Sequence, residues 1–331
     1  MMCMYNPEIK TMYLAQFEHQ ETREVYTRLL KKSFEVEKQY GKDLFDFNEE
    51  EFEYYFRNIL RLKTKESARS YCNVIANYVQ WAIDHKYSGQ LINPLKGSQD
   101  YFYEFVQETR LYFSYQEKEV IISKLVNKQD SFIIEALWHG IQGNKVSELV
   151  NLKMNDMDIE NNKVILRNDH GEMVRELEVE NDSPLISMAR LANLESEYVK
   201  LNGTVDYPNN LKETVTLSDS KYVLKSALTK RNGGASGGEA VSHYTVYNRL
   251  EMFRTLEEME EYQDALTSKN IVRSGMIYKA LELYKRDGEL GTHQIKEICK
   301  KYNMKYKWAL RDYLNIDMLN ELYPSEMKEL H

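Results

Sequence analysis

Five prolines and 14 glycines are all that punctuate 331 residues. Proline removes a backbone donor and glycine costs order in a helix, so a chain poor in both is free to run in long helices. Apolar positions recur at helical spacing through most of it. Early in the chain the stripe is Val25, Tyr26, Leu29, Leu30 and Phe34, with Thr22 as a cap and Tyr40-Gly41 as the stop. Asn48 opens a second helix with Glu49, Glu50 and Glu51 in its first turn, where the helix dipole favours negative charge. Its inward face is Phe52, Tyr55, Phe56, Ile59 and Leu60. Thr64 or Ser67 caps a third helix with Tyr71, Val74, Ile75, Tyr78, Val79 and Ala82 inward and Trp81 beside them. Asn93-Pro94 closes this helical unit, because a residue before proline avoids the α conformation.

Residues 97–112 read as a partly helical linker. Ser114 and Glu117 have the spacing of a capping box and open helices over 117–126 and 131–139. Gly140 to Asn144 breaks the second, and a short helix is expected over 145–152. The period then drops to two. Segments 163–167 and 174–179 flank Asp169-His170-Gly171, a hairpin signal with glycine in the turn. Helical pattern resumes over 184–201, a short strand is expected at Tyr222-Val223-Leu224, and the glycine-rich 230–239 reads as a loop. Further helices are expected over 242–254, 271–284, 293–302 and 305–314. The fold class is mainly α with a small antiparallel β-sheet, in two domains, 1–96 and 113–331.

No apolar run reaches the roughly 18 residues that span a bilayer, and Met1 to Lys10 carries no signal-peptide core. A cytoplasmic protein without a membrane partner is therefore expected. The three cysteines, Cys3, Cys72 and Cys299, lie far apart and lack metal-ligand spacing, so neither a metal nor another cofactor is expected.

A formal charge of −8 weighs at first against nucleic acid. Its distribution reverses that. Between Lys269 and Arg311 stand eleven basic residues against four acidic ones, a surplus of seven. A second basic run is Arg57, Arg61, Lys63, Lys65 and Arg69. Phosphate attraction is set by the field within a Debye length of about 10 Å rather than by the sum over the chain. These stripes are either solvated helix faces or phosphate contacts.

Order and spacing together resemble the tyrosine recombinase (phage integrase) family over nearly the whole chain. Thr22-x-x-x-Tyr26, Gly41-Lys42-Asp43-Leu44, Ser67-x-x-x-Tyr71, Ile75, Tyr78, Trp81-Ala82 and Asn93-Pro94 are similar to its helical, SAM-like core-binding domain. Gln142-Gly143-Asn144-Lys145-Val146-Ser147-Glu148-Leu149, then Leu152, Asp156 and Asp158, are similar to its catalytic domain, where the family writes Thr-Gly-x-Arg-x-Ser-Glu-Leu. The resemblance implies a two-domain clamp on duplex DNA, the helical domain followed by an α+β catalytic-like one. It also implies a site in which two arginines clamp a phosphate, a lysine and a histidine or tryptophan move protons, and a tyrosine attacks phosphorus.

Carried over one position at a time, that site is eroded. The first arginine falls at Lys145, a point charge without the planar fork. The hairpin lysine has no counterpart in 167–173. The His-x-x-Arg box falls at Asn270-Ile271-Val272-Arg273, which keeps the arginine and loses the histidine. Nucleophile candidates are Tyr306 and Tyr313, 33 and 40 residues past Arg273. No catalysis is expected, and DNA contacts are expected from Lys145, Arg273, Lys63, Lys65, Arg69, Lys269, Lys230, Arg231 and Arg249. Base preference is expected from the amino-terminal helices and from 242–254.

The implied function is sequence-specific DNA binding without strand cleavage, as in the recombinase-fold master repressors of lysogeny in SPbeta-type Bacillus prophages, at the nucleoid of the bacterial host. Two alternatives stay open: an active recombinase with a diverged pocket, and a protein-interaction module with no DNA role. Double-stranded DNA is the expected partner. A second copy on DNA and a regulatory protein or peptide are further partners left open.

Overall fold

The computed structural model describes residues 4–97, 99–107, 109–181, 183–204, 212–228 and 238–330. The chain divides into two units, Met1–Thr109 and Arg110–His331.

The first unit is helical: α1 (Pro7–Ala15), α2 (Gln20–Lys32), α3 (Phe34–Tyr40), α4 (Glu49–Tyr54), α5 (Lys65–Asp84) and α6 (Gln99–Tyr103). Local chemistry sets several of its boundaries. Asn48 and Glu51 exchange side-chain and backbone bonds in a capping box, as do Thr64 and Ser67 at the start of α5. Gly41, at φ +68°, closes α3 in the left-handed conformation that a side chain resists. Helix α4 runs on as a π-helical turn over Tyr55–Leu60, which keeps Phe52, Tyr55 and Phe56 fully buried. Helix α2 starts two residues before Thr22, and Val25 is exposed while Leu29 and Leu30 fill the core.

Proline 94 does not end this unit. The Asn93 side chain donates to the Ala76 carbonyl and accepts from the Leu95 amide, so the chain turns there and returns. Phe102 and Phe105, in the segment read as a linker, are buried in the first unit's core, with Phe105 5.1 Å from Phe56. Burying a Phe side chain contributes about 1.5–3 kcal/mol, enough to draw this stretch inward.

The second unit carries α7 (Tyr115–Ser123), α8 (Lys128–Trp138), α9 (Ser147–Val150), β1 (Met157–Asp158), β2 (Lys163–Arg167), β3 (Met173–Glu178), α10 (Leu185–Leu194), β4 (Glu197–Val199), β5 (Thr214–Thr216), α11 (His243–Thr255), α12 (Ser268–Asp287), α13 (Thr292–Lys301), α14 (Ile316–Leu322) and α15 (Pro324–Glu329). The mainly α class holds, with small antiparallel sheets. Strands β1-β2-β3 form one in that order, with Gly171 at φ +76° in the hairpin turn, and β4-β5 form a second. Helix α8 is buried from Gln129 to Trp138 and serves as the central rod of the unit. Helix α12 lies against it at Gly275, where a Cβ would sit 2.0 Å from the Trp138 carbonyl oxygen.

Four expectations give way here. The helix read over 184–201 ends at Leu194, and the chain enters β4. Tyr222 makes a single bridge to Lys153 rather than a strand. Segment 305–314 forms only a short 3-10 turn, Trp308–Asp312. The helix expected from Lys145 begins at Ser147. Most of the glycine-rich loop, 230–237 of 230–239, lies outside the described residues. Among the described residues no helix is long and apolar enough to cross a membrane, and no cluster of His, Cys, Asp and Glu is arranged to hold a metal ion.

Candidate functional site

Lys145 stands on a corner between α8 and α9. Its backbone is left-handed (φ 50°, ψ 42°), and so is that of Val146 (φ 55°). Such conformations cost about 1–3 kcal/mol each for non-glycine residues and persist only where the surroundings over-determine them. Glu148 and Arg175 do so. Arg175, on β3, donates from Nε to Glu148 Oε1 (3.0 Å) and from Nη2 to Glu148 Oε2 (2.8 Å). The same guanidinium donates to the carbonyls of Gly140 (2.7 Å) and Lys301 (2.8 Å). Glu148 also accepts from the Gln142 amide. Gly143 is required beneath this knot: a Cβ there would lie 2.5 Å from Ser147 Oγ and 2.8 Å from Glu148 Cγ, at φ +65°. The result is an exposed Lys145 with no hydrogen bond or ion pair among the described residues, held out by buried neighbours.

Arg273 lies in the second turn of α12. Thr267 caps this helix by accepting from the Asn270 amide, and the Asn270 side chain donates to the Asp264 carbonyl. The residue in the place of the family's histidine therefore ties down a loop. Arg273 is half-buried. Its guanidinium sits 4.7 Å over the ring of Tyr313 and donates to Tyr112 Oη at 3.4 Å, and the two tyrosine rings are 5.6 Å apart. Tyr313 is 2% exposed, and its hydroxyl faces Met276 Sδ at 3.6 Å. Arg273 and Tyr313 are thus brought together, with the cation over the ring face. Tyr306 is half-buried and packs on the unit's core.

The remaining expected DNA contacts divide. Lys63 is half-buried. Lys65 and Arg69 are exposed on α5, Lys65 with its Nζ 5.5 Å over the Tyr103 ring, and Lys269 is exposed at the start of α12. Lys230 and Arg231 lie outside the described residues. Arg249 is a correction: it points inward from α11, 9% exposed, 3.4 Å from the buried Asp130 and 4.4 Å over Tyr198. An uncompensated Asp130 carboxylate in that core would be costly, so its partner is drawn in with it.

A cavity of about 100 Å³ opens in the second unit, lined by Glu135, His139, Glu180, Ser183, Lys279 and Lys301 among others. Its charges are mostly spent on one another. Lys301 donates to Glu180 at 2.6 Å, Lys279 to Glu282 at 2.8 Å and Lys118 to Glu135 at 2.6 Å. Burial works against the Glu180 charge, but the hydrogen bond and charge of Lys301 outweigh it and hold that carboxyl down at about 2. Ser183 and Glu135 both meet the same His139 nitrogen, Nε2, at 3.1 and 3.0 Å. A nucleophile relay needs one partner on each ring nitrogen, so this trio is not one.

Sequence reasoning missed Arg175 and Tyr112. The segment without the hairpin lysine, 167–173, ends two residues short of Arg175. Nothing local marks Tyr112, which meets Arg273 only through the fold.

Two family models match the chain. The C-terminal catalytic domain of MrpR matches residues 112–324, and the N-terminal core-binding domain of MrpR matches residues 4–84. A Bacillus subtilis (strain 168) protein described as the SPbeta prophage-derived uncharacterized protein YopR is 28% identical over 335 residues, covering 98% of each chain. Among solved structures, the Tn1549 transposon integrase in complex with circular intermediate DNA is 13% identical, covers 99% of this chain and 100% of that one, and has a TM-score of 0.45. The XerA recombinase is 13% identical with 96% of each chain covered and a TM-score of 0.40. The expected order, a core-binding domain followed by a catalytic-type domain, agrees with both family models. With the catalytic-domain model alone covering well over half of the residues, the chain belongs to the MrpR family.

Proposed function

We propose that this chain binds double-stranded DNA, does not cut it, and acts as a prophage repressor that maintains lysogeny. The observation that carries the reading is the state of the reacting groups. Tyr313 is buried with its hydroxyl on a thioether, and Arg273 covers its ring. Neither a lysine nor a histidine stands at the matching positions, and Lys145 supplies charge without a bidentate fork. Phosphate binding survives such losses, since it needs only positive charge. Transesterification does not, because losing one preorganised donor costs about 10²–10³ in rate. The prophage origin of the YopR relative supports the regulatory setting.

One observation favours a second reading, an active recombinase: Arg273 lies within 4.7 Å of the Tyr313 ring. A suicide DNA substrate carrying the chain's own bound site separates the two. The repressor reading expects a mobility shift without covalent adduct. An adduct that disappears on Tyr313→Phe or Tyr306→Phe overturns it.

A further inference from the structure

The basic run of the second unit is less free than its composition implies. Arg286 is tied to Asp287 and Glu297, and Lys279 and Lys301 are tied to Glu180. The cations left without a partner among the described residues include Lys296, Lys300, Lys305 and Lys307, all exposed. Between Ile298 and Arg311 there are five basic residues and no acidic one. At the tip of this stretch Trp308 is 72% exposed. That is unusual for the largest apolar side chain, which ordinarily buries most of its surface.

The indole is held rather than loose. Arg311, three residues on, places its guanidinium 5.0 Å over the ring and donates from Nη2 to Thr292 Oγ1 at 2.8 Å. The guanidinium lies over one face, and the side chain as a whole stays 72% exposed. The same short turn ends at Tyr313, beneath Arg273.

We propose that Lys305, Lys307 and Trp308 form a DNA contact in which the lysines meet phosphates and the exposed indole packs on the sugar edge of a duplex backbone. A protein partner fits less well, because a surface of unpaired lysines around one aromatic matches a polyanion. The inference rests on the DNA-binding reading above and adds to it a contact that carries no phosphate-clamp or cleavage role.

The chain carries three tryptophans. Trp138 is 3% exposed and Trp81 is half-buried, so acrylamide quenching of the accessible emission reports mainly on Trp308, and Trp308→Phe defines its share. The probe is a 30-base-pair duplex of random sequence, with binding followed in parallel by mobility shift. On complex formation the Trp308 share of quenching should fall. The double variant Lys305→Glu, Lys307→Glu should lower the slope of log affinity against log salt by about two. Trp308→Ala should weaken binding by about tenfold with the slope kept, the loss of an apolar contact. A mobility shift with Trp308 still fully quenchable and the slope unchanged overturns the contact while leaving DNA binding intact. Protection by single-stranded DNA alone overturns the duplex assignment. The absence of any shift sinks the DNA-binding reading, and this inference with it.

Discussion

Lys145 and Val146 hold left-handed conformations that a lysine and a β-branched residue both resist. The strain is met by the buried Glu148, which joins the corner to β3 through Arg175. Replacing Glu148 by Gln leaves the shape and removes the charge opposite a guanidinium that is only 13% exposed. Breaking a buried pair in this way costs about 3–5 kcal/mol. Glu148→Gln should therefore lower the melting temperature of the second unit and release the corner, whereas Lys145→Ala should leave stability unchanged. Differential scanning calorimetry of both variants checks this. If the two melt alike, Glu148 does not hold the corner. Gly143→Ala belongs to the same test, since its Cβ would overlap Ser147 and Glu148. A loss of about 3 kcal/mol is expected there, within the range of severe single substitutions.

At the scale of elements, the first unit is stitched by a charge cluster that does not balance. Lys10 on α1 is fully buried with Glu37 of α3 and Asp43 of the following loop. Around them stand the Tyr78 hydroxyl of α5 and Asn6, both donating to Asp43, with Ser33 and the Leu44 amide donating to Glu37. Two carboxyls share one ammonium. Burial, opposed by Lys10 and aided by Asp43, pushes Glu37 up to about 7, and burial also raises Asp43. A carboxyl with a raised folded-state value adds stability that is complete below its unfolded value and fades as pH rises through the folded one. The α1–α3–α5 packing should thus lose on the order of 1 kcal/mol between pH 6 and 8.5. Amide hydrogen exchange of α5 reports it, after correction for the intrinsic pH dependence of exchange. Glu37→Gln should flatten the dependence, and an equal slope in that variant would remove Glu37 from the account.

Elements whose boundaries are written in neighbouring residues were legible in the sequence. The caps at Asn48, Thr64 and Ser114 and the Gly171 hairpin turn each depend on partners within four positions. What escaped depends on distant partners. Asp130 and Gln129, over a hundred positions upstream, turn Arg249 inward, and Phe56 draws Phe105 into the first core. Nothing local in the sequence marks the strand arginine that fixes the Lys145 corner or the tyrosine pair around Arg273, because each meets its partner only through the fold.

For the whole molecule, the net charge of −8 and the local basic stretches act over different distances, and salt decides which one a DNA duplex senses. At about 0.1 M the Debye length is about 10 Å, so in the proposed DNA complex Lys145, Lys305 and Lys307 would act on phosphate largely unopposed by remote carboxylates. Near 0.01 M it grows to about 30 Å, and the surplus of acidic groups elsewhere enters the same field. Affinity should therefore fall steeply with salt above about 0.1 M, where counterion release dominates, yet level off below about 0.02 M instead of climbing on. A protein with a uniformly basic surface would keep climbing. Fluorescence anisotropy of a labelled random duplex, titrated from 10 to 300 mM salt, distinguishes the two. Lys145→Ala should lower the steep part of the slope by about one and weaken all sequences alike, as a phosphate contact does. If the plot is instead flat throughout, phosphates are not what the chain holds. If it stays straight down to 10 mM, the negative remainder of the molecule lies too far from the bound duplex to matter.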